Sequence, residues 1–250
     1  MHDIILVRYS EIALKGKNRK MFEGSLIKNM QKCLKANNVE FSKILRIRSR
    51  IIVYSKDDCS CLAKVFGISS ISPAVEINAD METIREEALK HYTKGTFRVS
   101  SQRMDKKLQS SIEMNKDIGA YIVDKTNAKV SLKSPDVDIG IEIVNNKAYI
   151  FSERIKGVGG LPVGVTGVVG ILVEDNDYKK VAYKMMKRGC NIILITKNND
   201  SIDSCGIKIQ KVDSAEGLPD YVIAIATSEK LSTLKSRKFN LPVLRPLITD

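Results

Sequence analysis

Apolar positions recur along the chain with two periods, near two and near four residues, and these predict where strands and helices fall. Ile4-Ile5-Leu6-Val7 is a short β-branched run that reads as a buried strand. Behind it Phe22, Leu26, Met30 and Leu34 recur every four residues with lysines on the other face, predicting a helix with Asn18 at its N-cap. Phe41 to Arg48 and Ile51 to Tyr54 read as strands, Cys59 to Phe66 as a short helix, and Ile71 to Ile77 as another strand. The order βαββαβ is a small ferredoxin-like arrangement.

From Asp80, a helix cap, the pattern continues as a helix (Met81 to His91), a strand (Phe97 to Ser100) and a second helix (Ser111 to Thr126). Pro135 breaks the chain before two alternating strands, Val137 to Val144 and Ala148 to Ser152, joined through Asn145-Asn146 as a hairpin turn. The segment Gly157-Val158-Gly159-Gly160-Leu161-Pro162-Val163-Gly164 marks a boundary. Beyond it come a strand (Val168 to Val173), a helix (Tyr178 to Arg188) stopped by Gly189, and a strand (Asn191 to Thr196), the signature of a βαβ unit with a parallel sheet. Further strands are expected near Ile207 to Val212 and Tyr221 to Ala226. The reading is an α/β protein with an α+β N-terminal half, in three parts: 1–77, 78–165 and 166–250. The last part is small for a doubly wound enzyme domain.

Charge changes this picture. The 250 residues carry 41 Lys+Arg and 29 Asp+Glu, net +12, and the first 50 alone hold 12 against 4. Residues 1–165 have net +9 and residues 166–250 net +3. A basic excess on a folded segment favours a polyanion, because each neutralised phosphate releases counterions; on charge alone a solvated face serving solubility accounts for it equally well. No apolar run approaches the roughly 20 residues that span a bilayer, so a cytoplasmic protein without membrane contact is expected. Five cysteines (Cys33, Cys59, Cys61, Cys190, Cys205) without a Cys-x-x-Cys pair argue against a disulfide framework and for a reducing compartment. With His2 and His91 the only histidines, no metal cluster can be assembled from sequence.

Three stretches are more specific than composition. They are Arg8-Tyr9-Ser10-Glu11-Ile12-Ala13-Leu14-Lys15-Gly16-Lys17-Asn18-Arg19, then Phe97-Arg98-Val99-Ser100-Ser101-Gln102-Arg103-Met104-Asp105-Lys106-Lys107, then Gly159-Gly160-Leu161-Pro162-Val163-Gly164 followed by Met185-Met186-Lys187-Arg188-Gly189. In this order and spacing the chain resembles the tRNA 4-thiouridine synthetase family, also called the thiamine-biosynthesis sulfurtransferase family. The tail Pro242-Val243-Leu244-Arg245-Pro246-Leu247-Ile248 is similar to that family's nucleotide domain. The resemblance implies a ferredoxin-like domain, a THUMP domain and a PP-loop (Rossmann-like) domain. It further implies that the first two hold tRNA, near its acceptor end, while the third adenylates a uridine for sulfur transfer.

On that basis Arg8, Lys15, Lys17, Asn18, Arg19, Lys20, Arg98, Ser100, Arg103, Lys106 and Lys107 are the candidate RNA contacts, suited to phosphates and to RNA shape rather than sequence. Ser10 stands where the family usually has glycine. A larger departure lies at the family's Ser-Gly-Gly-x-Asp-Ser loop, whose positions hold Val173, Glu174, Asp175, Asn176, Asp177 and Tyr178. Small residues let backbone amides close around a phosphate; two carboxylates there would repel ATP. Asp177 alone keeps the family identity, or serves as a helix cap. The expectation is a tRNA-binding factor without ATP, magnesium or other cofactor, able to serve a separate catalytic modification subunit. The rivals are an active ATP-dependent tRNA sulfurtransferase using Asp177 and Cys205, and a regulatory interaction module that binds no RNA. Cys205, in a polar loop, is a better thiol candidate than Cys190, which reads as a small buried residue.

Overall fold

The computed structural model describes residues 3–104 and 109–249. Strand β1 (Ile4–Arg8) leads through two 3-10 turns, Glu11–Leu14 and Gly16–Asn18, into helix α1 (Arg19–Ala36). Strands β2 (Lys43–Ile47) and β3 (Arg50–Tyr54), a 3-10 turn at Ser60–Lys64 and strand β4 (Ser70–Asn78) follow. Next come α2 (Met81–His91), β5 (Phe97–Arg103), α3 (Ser111–Thr126), β6 (Val137–Val144), β7 (Lys147–Phe151) and the short β8 (Ile155–Lys156). The remainder holds β9 (Val168–Leu172), α4 (Tyr178–Lys187), β10 (Asn191–Ile195), β11 (Gln210–Val212), β12 (Val222–Ala226) and β13 (Val243–Leu244). Among the described residues no helix is long and apolar enough to cross a membrane.

Contacts divide the chain into two units that do not follow chain order. The first holds Arg8 and the residues before it, Glu40–Ser60 and Ser70–Lys156; the second holds Tyr9–Val39, Cys61–Ser69 and the chain from Gly157.

In the first unit the strands form one sheet in the order β2-β3-β1-β4-β7-β6-β5, with β8 paired to β4. Pairing is antiparallel except between β5 and β6, consecutive strands joined by the crossover helix α3. The β6–β7 hairpin closes through Asn145 and Asn146, both in the left-handed region at φ 52° and 60°, where asparagine is tolerated and the twist matches that of the strands. Helix α2 starts where the Asp80 carboxylate accepts a hydrogen bond from the Thr83 amide at 2.9 Å. Helix α3 starts with a full capping box between Ser110 and Glu113. Ile84 and Ala88 of α2 and Met114, Ile118 and Ile122 of α3 share a core with Phe97, Ile139, Ile141 and Ile143 of the sheet. A separate cluster contains Ile4, Leu6, Ile52, Ala74, Val144, Tyr149 and Phe151.

The second unit contains α1 and a parallel sheet ordered β11-β10-β9-β12-β13. Val181, Ala182, Met185 and Met186 of α4 share its core with Val169, Ile171, Ile192, Leu194, Ala224 and Ala226. The Asn29 side chain donates to the carbonyl of Val163 at 3.0 Å, tying α1 to the glycine-rich segment.

Two expectations are corrected here, and one strand is new. The helix read at Cys59 to Phe66 is a 3-10 turn, too short for an amphipathic stripe. Asn18 precedes α1 but makes no side-chain cap bond, because a 3-10 turn already feeds the helix. The tail adds the strand β13, parallel to β12 and too short to carry a period.

Gly140 lies opposite Phe151 in the β6–β7 register, and a Cβ there would sit 2.1 Å from the ring. Gly140→Ala is therefore expected to destabilise the first unit by about 1–3 kcal/mol. An unchanged thermal melting curve would show that the ring is free to move.

Candidate functional site

In a parallel sheet, ligands meet the carboxyl ends of strands where the strand order reverses. Here β9 continues through α4 to β10 on one side, while β12 lies on its other side, so the reversal falls between β9 and β12. The segments leaving these two strands are 173–177 and 227–229.

Acids and bases of the chain itself fill this position. Glu229 is 4% exposed, and its two carboxylate oxygens are taken separately: Oε1 by Arg237 Nε at 2.5 Å and Oε2 by Arg245 Nε at 2.8 Å. Arg237, whose side chain is 11% exposed, also forks Glu174, Nη1 reaching Oε1 at 3.0 Å while Nη2 bonds Oε2. Such two-pronged pairing is the geometry by which arginine holds carboxylates and phosphates alike. Ser228 Oγ donates to Asp175 Oδ2 at 2.8 Å, and Asp175 Oδ1 accepts from the Asp177 amide at 2.8 Å. Asp177 precedes α4 without a side-chain cap bond and pairs with Lys180 at 2.7 Å and Lys230 at 3.6 Å.

The titration directions follow. Burial pushes the Glu229 carboxyl up, but hydrogen bonds from Arg237 and Arg245 and their charges outweigh it and hold the group below the usual glutamate range. The hydrogen bond from Lys180 keeps Asp177 below its ordinary value. Of the acids in the 173–177 loop, Glu174 and Asp177 already have cationic partners, and Asp175 is held by a hydroxyl and a backbone amide. The Arg237 guanidinium is thus already engaged by the Glu174 carboxylate at this position.

The candidate cations fall into different environments. In the second unit Lys17, Asn18 and Lys20 are exposed, and Lys15 is partly buried with its Nζ 5.4 Å from the Phe22 ring centre. Arg19 is committed to Glu23 at 2.7 Å and to the Tyr9 hydroxyl at 2.8 Å. Burial and the bond to Glu23 push that phenol up to about 12. In the first unit Arg8 is 6% exposed and held by Glu142 at 2.6 Å and Ser72 at 3.0 Å, so its guanidinium supports the surface from beneath. Arg50 takes the other oxygen of Glu142, also at 2.6 Å. Arg98 pairs with Asp138, which also accepts from Ser100 at 2.6 Å, and Arg103 is partly buried. Lys106 and Lys107 lie outside the described residues.

Sequence reasoning missed Arg154, 57% exposed beside the Phe151 ring, and the set Glu229, Arg237 and Arg245. The latter lie 50 to 70 residues beyond the loop they complete, and no short motif announces them. The cysteine reading is also corrected. Cys205 is bonded to Cys33 across 172 residues, a separation invisible to spacing arguments, so it is not a free thiol. Cys190 is buried, 3.3 Å from the Thr166 hydroxyl.

Comparison with known proteins gives the class first. A ThiI ferredoxin-like domain model matches residues 4–72 and a THUMP domain model matches residues 75–153, so this is a THUMP-domain protein followed by a parallel-sheet domain. The chain is 35% identical over 208 residues to a "Probable tRNA sulfurtransferase" of Thermococcus kodakarensis, covering 77% of this chain and 55% of the relative. It is 37% identical over 213 residues to the protein of that name in Natranaerobius thermophilus, covering 77% and 51%. Among solved structures it is similar to PH1313 from Pyrococcus horikoshii Ot3, with 31% identity, TM-score 0.87, and 99% and 95% of the two chains covered. The fold is shared with a 4-thiouridine synthetase in complex with RNA and ATP, at 23% identity and TM-score 0.76 over 99% and 81%. The chain belongs to the tRNA sulfurtransferase family. It spans about half the length of the tRNA sulfurtransferases it matches.

Glu229→Ala is expected to destabilise the second unit by on the order of 3 kcal/mol in urea unfolding, since two guanidiniums lose a buried partner. Because the folded pKa of Glu229 is lowered, its stabilisation is complete above the ordinary glutamate value of 4.5 and is lost as pH falls through the folded value. Wild type and variant should therefore converge in stability toward acid. An unchanged gap between them at every pH would contradict this.

Proposed function

We propose that this chain binds tRNA through exposed cations and does so without using ATP, acting as a tRNA-binding accessory factor in base modification. The single observation that carries the second half is the Arg237 fork on Glu174: the anion position beside β9 is already filled by the chain's own carboxylate. Bringing ATP there would cost that ion pair and set the phosphates beside Asp175 and Glu229, so neither ATP nor magnesium has a role in this reading.

The first half is supported by family membership, by the tRNA sulfurtransferase name of the relatives, and by the RNA-bound synthetase of the same fold. In the second unit Lys15, Lys17, Asn18 and Lys20 would meet phosphates, with Arg19 bracing the turn through Tyr9 and Glu23. In the first unit Arg98, Ser100, Arg103, Lys106 and Lys107 would do the same, with Arg8 ordering the sheet through Glu142. Such contacts read backbone shape, which suits the acceptor side of a folded RNA. A separate catalytic subunit would then perform the modification, in the cytoplasm.

Titration with tRNA tests this. Binding should weaken by several orders of magnitude between roughly 50 and 200 mM salt if 6 to 10 phosphates are contacted. Lys17→Glu/Lys20→Glu should weaken it further and flatten the salt slope. Absence of binding at the lower salt would overturn the tRNA reading. For the ATP half, incubation with tRNA and ATP should release no pyrophosphate; release that disappears in Asp177→Ala would establish an active enzyme instead.

A further inference from the structure

Cys33 and Cys205 lie far apart in sequence, and neither serves the RNA or nucleotide readings. We propose that they form a reversible thiol–disulfide latch, which fastens the loop between β10 and β11 onto helix α1.

Several features of the loop support a latch rather than a chance neighbour. Cys205 has φ 49°, in the left-handed region that a side chain enters only when its surroundings hold it there. The next residue is Gly206, where a Cβ would lie 2.4 Å from the carbonyl oxygen of Lys32, so the loop backbone is pressed against α1 and tolerates no side chain. Asp203 turns the loop by accepting from the Cys205 amide at 3.2 Å, and it pairs with Lys64 at 3.2 Å. The loop also reaches α4, whose first residue, Tyr178, donates its hydroxyl to the carbonyl of Ser201 at 3.1 Å. Tyr178 directly follows the 173–177 loop, so the latch fixes a segment adjoining the filled crevice.

Two observations make the bond reversible in the folded protein. Cys33 is fully buried whereas Cys205 is partly exposed, so an incoming thiolate has access to one sulfur only. The carbonyl oxygen of Cys61 lies 3.5 Å from each sulfur, so either thiol has an acceptor once the bond opens. Opening by a small dithiol proceeds in two steps. Its thiolate attacks the Cys205 sulfur, the disulfide breaks, and Cys33 leaves as a thiolate that takes a proton from solvent. The second thiol of the reagent then attacks the mixed disulfide and releases Cys205 as a thiol. Two electrons pass from the dithiol, which becomes a cyclic disulfide, to the cysteine pair; closing the latch requires such an oxidised disulfide and runs the same steps in reverse.

The test uses the full chain equilibrated in oxidised or reduced dithiothreitol, with its fold checked at that stage, then quenched in acid, unfolded in alkylating agent and mapped by mass spectrometry. In the oxidised buffer a peptide linking Cys33 to Cys205 is expected, with Cys59, Cys61 and Cys190 alkylated; in the reduced buffer all five cysteines should be alkylated while the protein stays folded by circular dichroism. Tryptic cleavage at Lys197 or Lys208 should be about tenfold faster in the reduced state, as local opening of the loop rises. Cys205→Ser and Cys33→Ser should cleave at the fast rate in both buffers, and Cys61→Ser should keep the latch. The proposal is overturned by any of three results: no linked peptide from folded, oxidised protein; a link that yields to dithiol only after unfolding; or equal cleavage rates in both buffers.

Discussion

A buried carboxylate bracketed by two guanidiniums organises each unit of this protein. Glu142 gives one oxygen to Arg8 and the other to Arg50; Glu229 gives one to Arg237 and the other to Arg245. An ionised carboxylate this deep is tolerated only because both oxygens have charged donors, and each arginine is in turn fixed in direction by its acid. In the first unit the result is an ordered polar patch on a sheet whose Ile139, Ile141 and Ile143 share a core with α2 and α3. In the second unit, the same device occupies the place where the strand order reverses.

That placement connects the stability of the second unit to its chemistry. Arg237 is not an idle surface cation but the link between Glu229, which is buried, and Glu174, which stands in the loop after β9. Glu174 is therefore a working part of the fold, since removing it would leave Arg237 with Glu229 alone. The basic excess of the chain divides accordingly. Arg8, Arg19, Arg50, Arg237 and Arg245 are committed to internal carboxylates, while Lys17 and Lys20 remain exposed.

Local physics was legible in the sequence wherever partners are close along the chain. Asp80 caps α2, the Asn145-Asn146 turn adopts left-handed geometry, and α3 and β6 have the bounds that periodicity predicts. The adjacent acids Glu174 and Asp175 were likewise visible as residues. What those acids do was not, because Arg237 and Arg245 come from a segment that carries no helical or strand period. The Cys33–Cys205 bond escaped for the same reason: an odd set of scattered thiols says nothing about which two the fold brings together. The burial of Arg8 was hidden too, since a basic residue beside other basic residues looks exposed until its acid, 134 positions away, is placed.

On the proposed reading the crevice beside β9 supplies its own anion, the Glu174 carboxylate on Arg237. Calorimetric titration of magnesium ATP into wild-type protein and into Glu174→Gly/Asp175→Gly tests it most directly. No measurable heat of binding is expected for the wild type, and measurable binding for the double variant, whose Arg237 is released from Glu174. Tight binding by the wild type, unchanged in the variant, would contradict it.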